Sequence, residues 1–266
     1  MKILLIGATG VLGCELFSQL KKIGHDVVPC GRSISKLEKL SNKYINIDMF
    51  DSNDIFNKSF DIINEKFDCI IFNQGIYQDK YITNDDGFEA HFMVNAFSQY
   101  VLLKVVLPHY DNLIIVTVSS ISCYKRNVSQ DLNSENLRKW NLVYGNNKLL
   151  QLKLMKKLEK EYPNINFRYT HPGISFSPIS SSLHNGFTNF FVKYFMMKKE
   201  KAVRPIIYSL TNNRCGCWSC PGGFFELVGK PRLKKIKPSI LNLDNDISEK
   251  IEFLYSEIVK KYCLEC

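Results

Sequence analysis

The chain has 266 residues, 45% of them hydrophobic, with nine cysteines and a formal net charge of +9. That length and apolar content suit one large α/β domain or two small ones, with a sizeable core, and exclude a chain too polar to fold. The lysines lie in short clusters such as Lys21-Lys22, Lys156-Lys157, Lys198-Lys199 and Lys234-Lys235 rather than in one nucleic-acid-binding module. The surplus therefore reads as a solvated surface, with attraction of an anionic cofactor or substrate as the alternative, and no nucleic acid is expected as partner.

No apolar run approaches the ~18 residues that span a bilayer. The first strand begins at Lys2, which leaves no room for a signal peptide. The odd, scattered cysteines read as reduced thiols. A cytoplasmic protein without stable membrane insertion is the expectation. No repeat or linker divides the chain, so 1–266 reads as a single domain.

Lys2 to Ile6 predicts the first strand, followed by Gly7-Ala8-Thr9-Gly10-Val11-Leu12-Gly13 and an amphipathic helix to about Ile23. Strand, glycine turn and helix in succession form a dinucleotide-binding layout. Gly7 permits the tight turn, Gly10 lets backbone approach a pyrophosphate, and Gly13 lets helix and strand pack closely. The helix N-terminus would hold the phosphates on free N–H groups. Gly7, Thr9, Gly10, Val11, Leu12 and Gly13 are thus cofactor-binding candidates; the alternative is a glycine turn with no ligand.

His25 to Cys30 predicts a second strand that ends in Gly31-Arg32-Ser33. A fold preferring NAD usually places an acid about 20 residues past the glycines to bind the ribose 2′-hydroxyl. Val27 to Ser33 has no acid and offers Arg32, whose guanidinium suits a 2′-phosphate. NADP(H) is therefore expected ahead of NAD(H), with an exposed loop charge as the other reading of Arg32.

Tyr44 to Ile47 predicts a third strand, closed by Asp48, which either accepts from an adenine amino group or caps the next helix beside Asp51 and Asp54. Phe67 to Asn73 predicts a fourth, ending in Asn73-Gln74-Gly75 at the strand edge where open α/β sheets bind ligands. A long helix from about Gly87 to Pro108 carries Asn95, either in a polar role or simply exposed. Asn112 to Val118 is apolar enough for a strand buried on both faces and runs into Ser119-Ser120.

From Trp140 to Lys160 the apolar residues recur at helical spacing, and Tyr144 and Lys148 fall four apart on one face. An ammonium there would favour the phenolate, whose reference pKa is about 10, and make the tyrosine a general acid/base. Alone, Tyr-x-x-x-Lys is a weak signal. Ile165 to Thr170 predicts a sixth strand, ending in His171-Pro172-Gly173. Such alternation means an α/β Rossmann-type doubly wound parallel sheet of about seven strands, with helices on both faces.

The tail differs in texture. Residues 174–212 predict a substrate lid or packed helix, and the aromatics and lysines of 184–200 leave membrane contact open. A helix is expected over Lys201 to Asn212, a seventh strand over Phe224 to Val228 and a closing helix over Ile247 to Tyr262, with 213–266 as a C-terminal extension. Cys215-x-Cys217-x-x-Cys220, with Cys263-x-x-Cys266, reads as free thiols in a turn-rich loop; zinc is the alternative, and no metal is expected.

The glycine turn, Asn73-Gln74-Gly75, Asn95, Ser120, Tyr144-x-x-x-Lys148 and Pro172-Gly173, in that order, resemble the short-chain dehydrogenase/reductase family over residues 2 to about 175. Asp131-Leu132-Asn133-Ser134-Glu135 before the tyrosine, and His171-Pro172-Gly173 after it, resemble the retinol-dehydrogenase-like group.

The resemblance implies that Tyr144 exchanges a proton with the substrate oxygen while Lys148 lowers its pKa and holds the nicotinamide ribose. Ser120 would hydrogen-bond the carbonyl or alkoxide, and Asn95 would position a relay water. Asn73, Gly75, Pro172 and Gly173, with Arg32 and Asp48, complete the expected cofactor contacts. It implies a small-molecule alcohol or carbonyl substrate and pairing into a homodimer or homotetramer.

The pattern Gly-x-x-Gly-x-x-Gly, Gln74 in place of alanine and Asn147 in place of serine depart from the common form. A sugar-nucleotide reductase or epimerase, and a non-catalytic NADP(H) sensor, stay open beside the dehydrogenase reading.

Overall fold

The computed structural model describes residues 1–124, 126–137, 139–173, 197–214, 216–237, 240 and 242–263. Among them eight strands form one sheet: β1 (Lys2–Ile6), β2 (Asp26–Gly31), β3 (Ile45–Asn46), β4 (Cys69–Phe72), β5 (Ile114–Val118), β6 (Asn166–Thr170), β7 (Cys217–Pro221) and β8 (Pro231–Lys235). Their order is β3-β2-β1-β4-β5-β6-β7-β8. Neighbours pair in parallel except β8, which runs antiparallel to β7. Chain order reverses between β1 and β4, so the cleft at their C-terminal ends is where such sheets bind ligands.

Side-chain alternation explains the three layers. Ile3 and Leu5 of β1 face one side with Ile71 and Val116, where α1 (Val11–Lys22), α6 (Lys199–Ala202) and α7 (Arg204–Ser209) cover them through Leu16, Val203 and Ile206. Leu4 and Ile6 face the other with Phe72 and Ile115. They pack under α3 (Ser52–Glu65), α4 (Ala90–His109), α5 (Trp140–Glu161) and α8 (Asn245–Cys263). A short helix, α2 (Ile34–Leu37), follows β2.

Three expectations change. The seventh strand is Cys217–Pro221, inside the supposed cysteine loop, and Phe224–Glu226 is a 3-10 turn with Phe225 and Glu226 at positive φ. Hydrogen bonds from the Gly222 and Gly223 N–H groups to Lys230 and Val228 fold that stretch back on itself, which prevents it from extending along the sheet. β8 went unforeseen because Leu233 is the lone large aliphatic side chain in Pro-Arg-Leu-Lys-Lys; its charges suit a sheet edge.

The expected helix over Lys201 to Asn212 is two short helices, the second opening near Pro205, which has no N–H to continue a ladder. These helices pack on the sheet through Val203 and Ile206, whereas residues 174–196, the greater part of the expected lid and of its membrane-contact stretch, lie outside the described residues. Finally, α4 is long and apolar enough to cross a membrane, against the expectation, yet 89% of that stretch is buried in the fold. It is a core helix here.

Candidate active site

The glycine turn is shaped by contacts that only glycine permits. Gly7 has φ +83° and its missing Cβ would lie 2.6 Å from the Gln74 nitrogen; a Cβ on Gly13 would lie 2.1 Å from the Gly7 oxygen. Gly10, by contrast, has space above it and caps α1 with no side-chain hydrogen bond. No acidic residue occupies the first turn of α1. Val11, Leu12 and Gly13 thus present backbone donors without an intrahelical partner, which fits an anionic group.

Three residues frame this turn. Asn73 donates from its amide to the Gly7 oxygen at 3.2 Å, tying the end of β4 to it. Thr9 packs on Gly31 from the end of β2. Arg32, next in sequence, is exposed and has no carboxylate within ion-pair distance among the described residues. Asp48, at the end of the third strand region, accepts from Phe50 N–H at 3.0 Å and closes its own turn. The helix cap falls to Asp51, which accepts from Asn53 and Asp54; such a cap is worth about 1 kcal/mol.

At the far end of the cleft, Ser119 and Ser120 part company. Ser119 is buried and its hydroxyl donates to the Lys148 carbonyl at 3.2 Å. Ser120 begins a 3-10 turn, accepts from Ser122 N–H at 3.2 Å, and presents its hydroxyl to the Tyr144 phenol. Burial pushes that phenol up to about 12; the Ser120 hydroxyl pulls the other way, and nearby Cys123 adds to the rise.

Lys148 is buried too, and burial lowers its ammonium to about 8. Its Nζ donates to the Val118 oxygen at 3.3 Å and to Gln151 Oε1 at 3.4 Å. The same burial thus holds both groups toward their neutral forms, with the phenol raised rather than lowered from its ordinary value.

Gly75 lies between this lysine and α4. A Cβ there would sit 3.3 Å from Asn95 Oδ1 and 3.4 Å from Lys148 Nζ. Asn95 is buried within a π turn, Met93–Phe97, a local widening common at functional sites. Its amide accepts from Ile76 N–H at 2.8 Å and donates to the Ile76 oxygen at 3.0 Å, so its side chain holds the loop after β4.

A family model described as the NAD dependent epimerase/dehydratase family matches residues 3–214. The chain belongs to that family. It is similar to curated proteins named as a retinol dehydrogenase and as a dehydrogenase/reductase SDR family member. Retinol dehydrogenase 14 of Homo sapiens is 25% identical over 198 residues, covering 69% of this chain and 59% of that protein. The chain thus spans little more than half of that relative.

An uncharacterised protein from Mycobacterium Paratuberculosis superposes with TM-score 0.74 at 20% identity, covering 97% of this chain and 93% of that one. A short-chain dehydrogenase from Sphingobium yanoikuyae, solved with NADPH, gives 0.60 at 19% identity over 79% and 83%. These likenesses speak to the fold.

In this family member, Pro172 and Gly173 follow β6 at the same end of the sheet. Gly173 has φ +77° and its Cβ would lie 2.4 Å from the Leu227 oxygen, so the turn after β7 closes over it. Its N–H donates to His171 Nδ1 at 3.2 Å, while His171 Nε2 meets Glu226 Oε2 at 3.0 Å. Burial drives His171 down to about 3, so the ring is neutral.

Glu226 also pairs with Lys234 and lies 3.5 Å from the Tyr124 hydroxyl. His171, Cys220 and Glu226 converge within 4.8 Å, but the Lys234 ammonium already neutralises the carboxylate and opposes a cation. Cys217 and Cys220 are free thiols, on a strand rather than a loop; Cys215 lies outside the described residues.

Sequence reasoning missed Tyr77, Glu89 and His91. Tyr77 packs edge-on against Tyr144, with ring centroids 5.9 Å apart, and against His91 at 6.0 Å. Only Glu89 left a trace in sequence, as an acid before an apolar helical run; the other two are joined by tertiary structure alone.

Proposed function

We propose that this chain is an NADP(H)-dependent oxidoreductase interconverting an alcohol and a carbonyl, with NAD(H) the less favoured cofactor. The observation that carries the reading is the meeting of Tyr144 and Ser120 beside Lys148 and Gly75, in one cleft with an uncapped α1. The donors present fit a dinucleotide: α1 offers N–H groups to a pyrophosphate, and Arg32 offers an exposed guanidinium to a 2′-phosphate. Nicotinamide, when bound, supplies or takes the hydride.

The chain's own part is orientation and the proton. Ser120 donates to the substrate oxygen, and Tyr144, protonated at neutral pH, gives its phenolic proton to the alkoxide as it forms. A phenol held in the acid form is ready for carbonyl reduction. Lys148, poised near neutrality, accepts or returns a proton once a cofactor ribose and Tyr144 approach it. Asn95 acts through the loop it holds. The cytoplasm is the proposed location.

The family description itself supports a second reading, a sugar-nucleotide reductase or epimerase. Against it, residues 217–263 are spent on β7, β8 and α8, which extend the same domain.

The test is NADPH oxidation against a panel of aldehydes, ketones and sugar nucleotides, with Tyr144→Phe as control. Turnover by the wild type, lost in Tyr144→Phe while NADPH binding stays within about twofold, is expected. Turnover unchanged in Tyr144→Phe would overturn the assignment.

A further inference from the structure

Glu89 and His91 are both fully buried, lie outside the set just described, and touch the catalytic tyrosine only through an intermediary. Glu89 caps α4: Oε2 accepts from the His91 and Phe92 N–H groups at 2.9 and 3.1 Å, and Oε1 meets His91 Nδ1 at 2.7 Å. A backbone N–H that points at Nε2 makes that nitrogen the acceptor, so the ring proton sits on Nδ1 and is donated to Glu89 Oε1.

The Nε2 atom is used. It accepts the Gln78 N–H at 3.2 Å. One turn further along α4, Asn95 takes both backbone groups of Ile76. His91 and Asn95 therefore hold alternate residues of the loop after β4, and Tyr77 stands between the two anchors. Its ring is clamped edge-on by His91 on one side and meets the Tyr144 ring edge-on at 69° on the other. Trp140, at the start of the helix that bears Tyr144, stacks on the His91 ring with centroids 6.0 Å apart.

We propose that Glu89 and His91 are a positioning pair: the carboxylate fixes the imidazole tautomer, the imidazole fixes the loop, and Tyr77 on that loop sets the orientation of the Tyr144 phenol. The inference rests on the dehydrogenase reading above and adds to it a buried dyad that never touches substrate.

Glu89→Gln tests the tautomer directly. The amide keeps the cap through its oxygen, but its NH₂ group donates to Nδ1 and so places the ring proton on Nε2, facing the Gln78 N–H. The result expected is a fall in kcat of about 10-fold to 100-fold, as small misplacement of a reacting group costs, with KM for NADPH and NADPH binding nearly unchanged. Amide exchange at Gln78 should quicken in the same variant.

Tyr77→Ala should lower kcat similarly, and the double variant should be no worse than the worse single. Unchanged kcat in a folded Glu89→Gln protein would overturn the proposal, as would effects of Glu89→Gln and Tyr77→Ala that multiply. Should Glu89→Gln fail to fold, Tyr77→Ala decides alone, and full activity in that variant overturns the proposal. Absence of turnover in the wild type would instead sink the dehydrogenase reading, a separate result.

Discussion

The Ser119 hydroxyl donates to the Lys148 carbonyl oxygen at 3.2 Å and so joins the end of β5 to the turn of α5 that bears the lysine. One residue later the chain makes a different use of the same side chain, for Ser120 faces the Tyr144 phenol.

The two serines should therefore fail differently. Ser119→Ala leaves a buried carbonyl without that donor and should cost about 1–3 kcal/mol of stability, with activity reduced modestly. Ser120→Ala, half-buried, should leave the urea midpoint almost unmoved and cut kcat by about 100-fold, as for other donors to a developing oxyanion. Paired urea melts and steady-state rates on both variants check this. A reversal of the two outcomes would assign the catalytic hydroxyl to Ser119.

Much of this was legible because it is local. Gly13 is dictated by backbone contacts with Gly7 and Ala8 within one strand-turn-helix unit, and β1, β4 and β5 carry apolar runs that need no tertiary partner to be seen. β8 was illegible because an edge strand with one large aliphatic residue, Leu233, has no period to read. The Phe224–Glu226 stretch misled because its aromatics look like a strand while its glycine neighbours turn the backbone over.

The site was legible in its members and not in its electrostatics. Spacing placed Tyr144 and Lys148 on one helix but could not show that burial would hold both toward their neutral forms. Nor could it show that Asn95 would turn its amide to Ile76, or that His91 would meet Tyr77.

Arg32 makes the cofactor preference testable. It is exposed at the end of β2 and next to Gly31, on which Thr9 of the glycine turn packs. A guanidinium bonded to a 2′-phosphate contributes about 1.5–3 kcal/mol as a charged hydrogen bond. Arg32→Ala should thus weaken NADPH binding by roughly 10-fold to 100-fold and leave NADH binding near its starting value. Fluorescence titration with both cofactors reads it. An equal loss for both would place Arg32 away from the 2′ position.

Lys148 carries a cost that the cofactor-free protein should reveal. Burial lowers its ammonium from 10.5 to about 8, so the folded state gives up a proton that the unfolded chain retains between those values. With more protons on the unfolded chain, stability rises with pH across that window and is lowest below about 8. The penalty at neutral pH is roughly 3 kcal/mol, since each unit is about 1.4 kcal/mol; the lost bonds to Val118 and Gln151 return part of it. Lys148→Met should therefore abolish turnover and yet raise the urea midpoint of the cofactor-free protein at pH 7. The gain should shrink toward zero as pH climbs past 10. A variant less stable than the wild type at pH 7, with the gap widening below it, would mean that the lysine stabilises the fold through its charge, and the functional reading of its burial would fail.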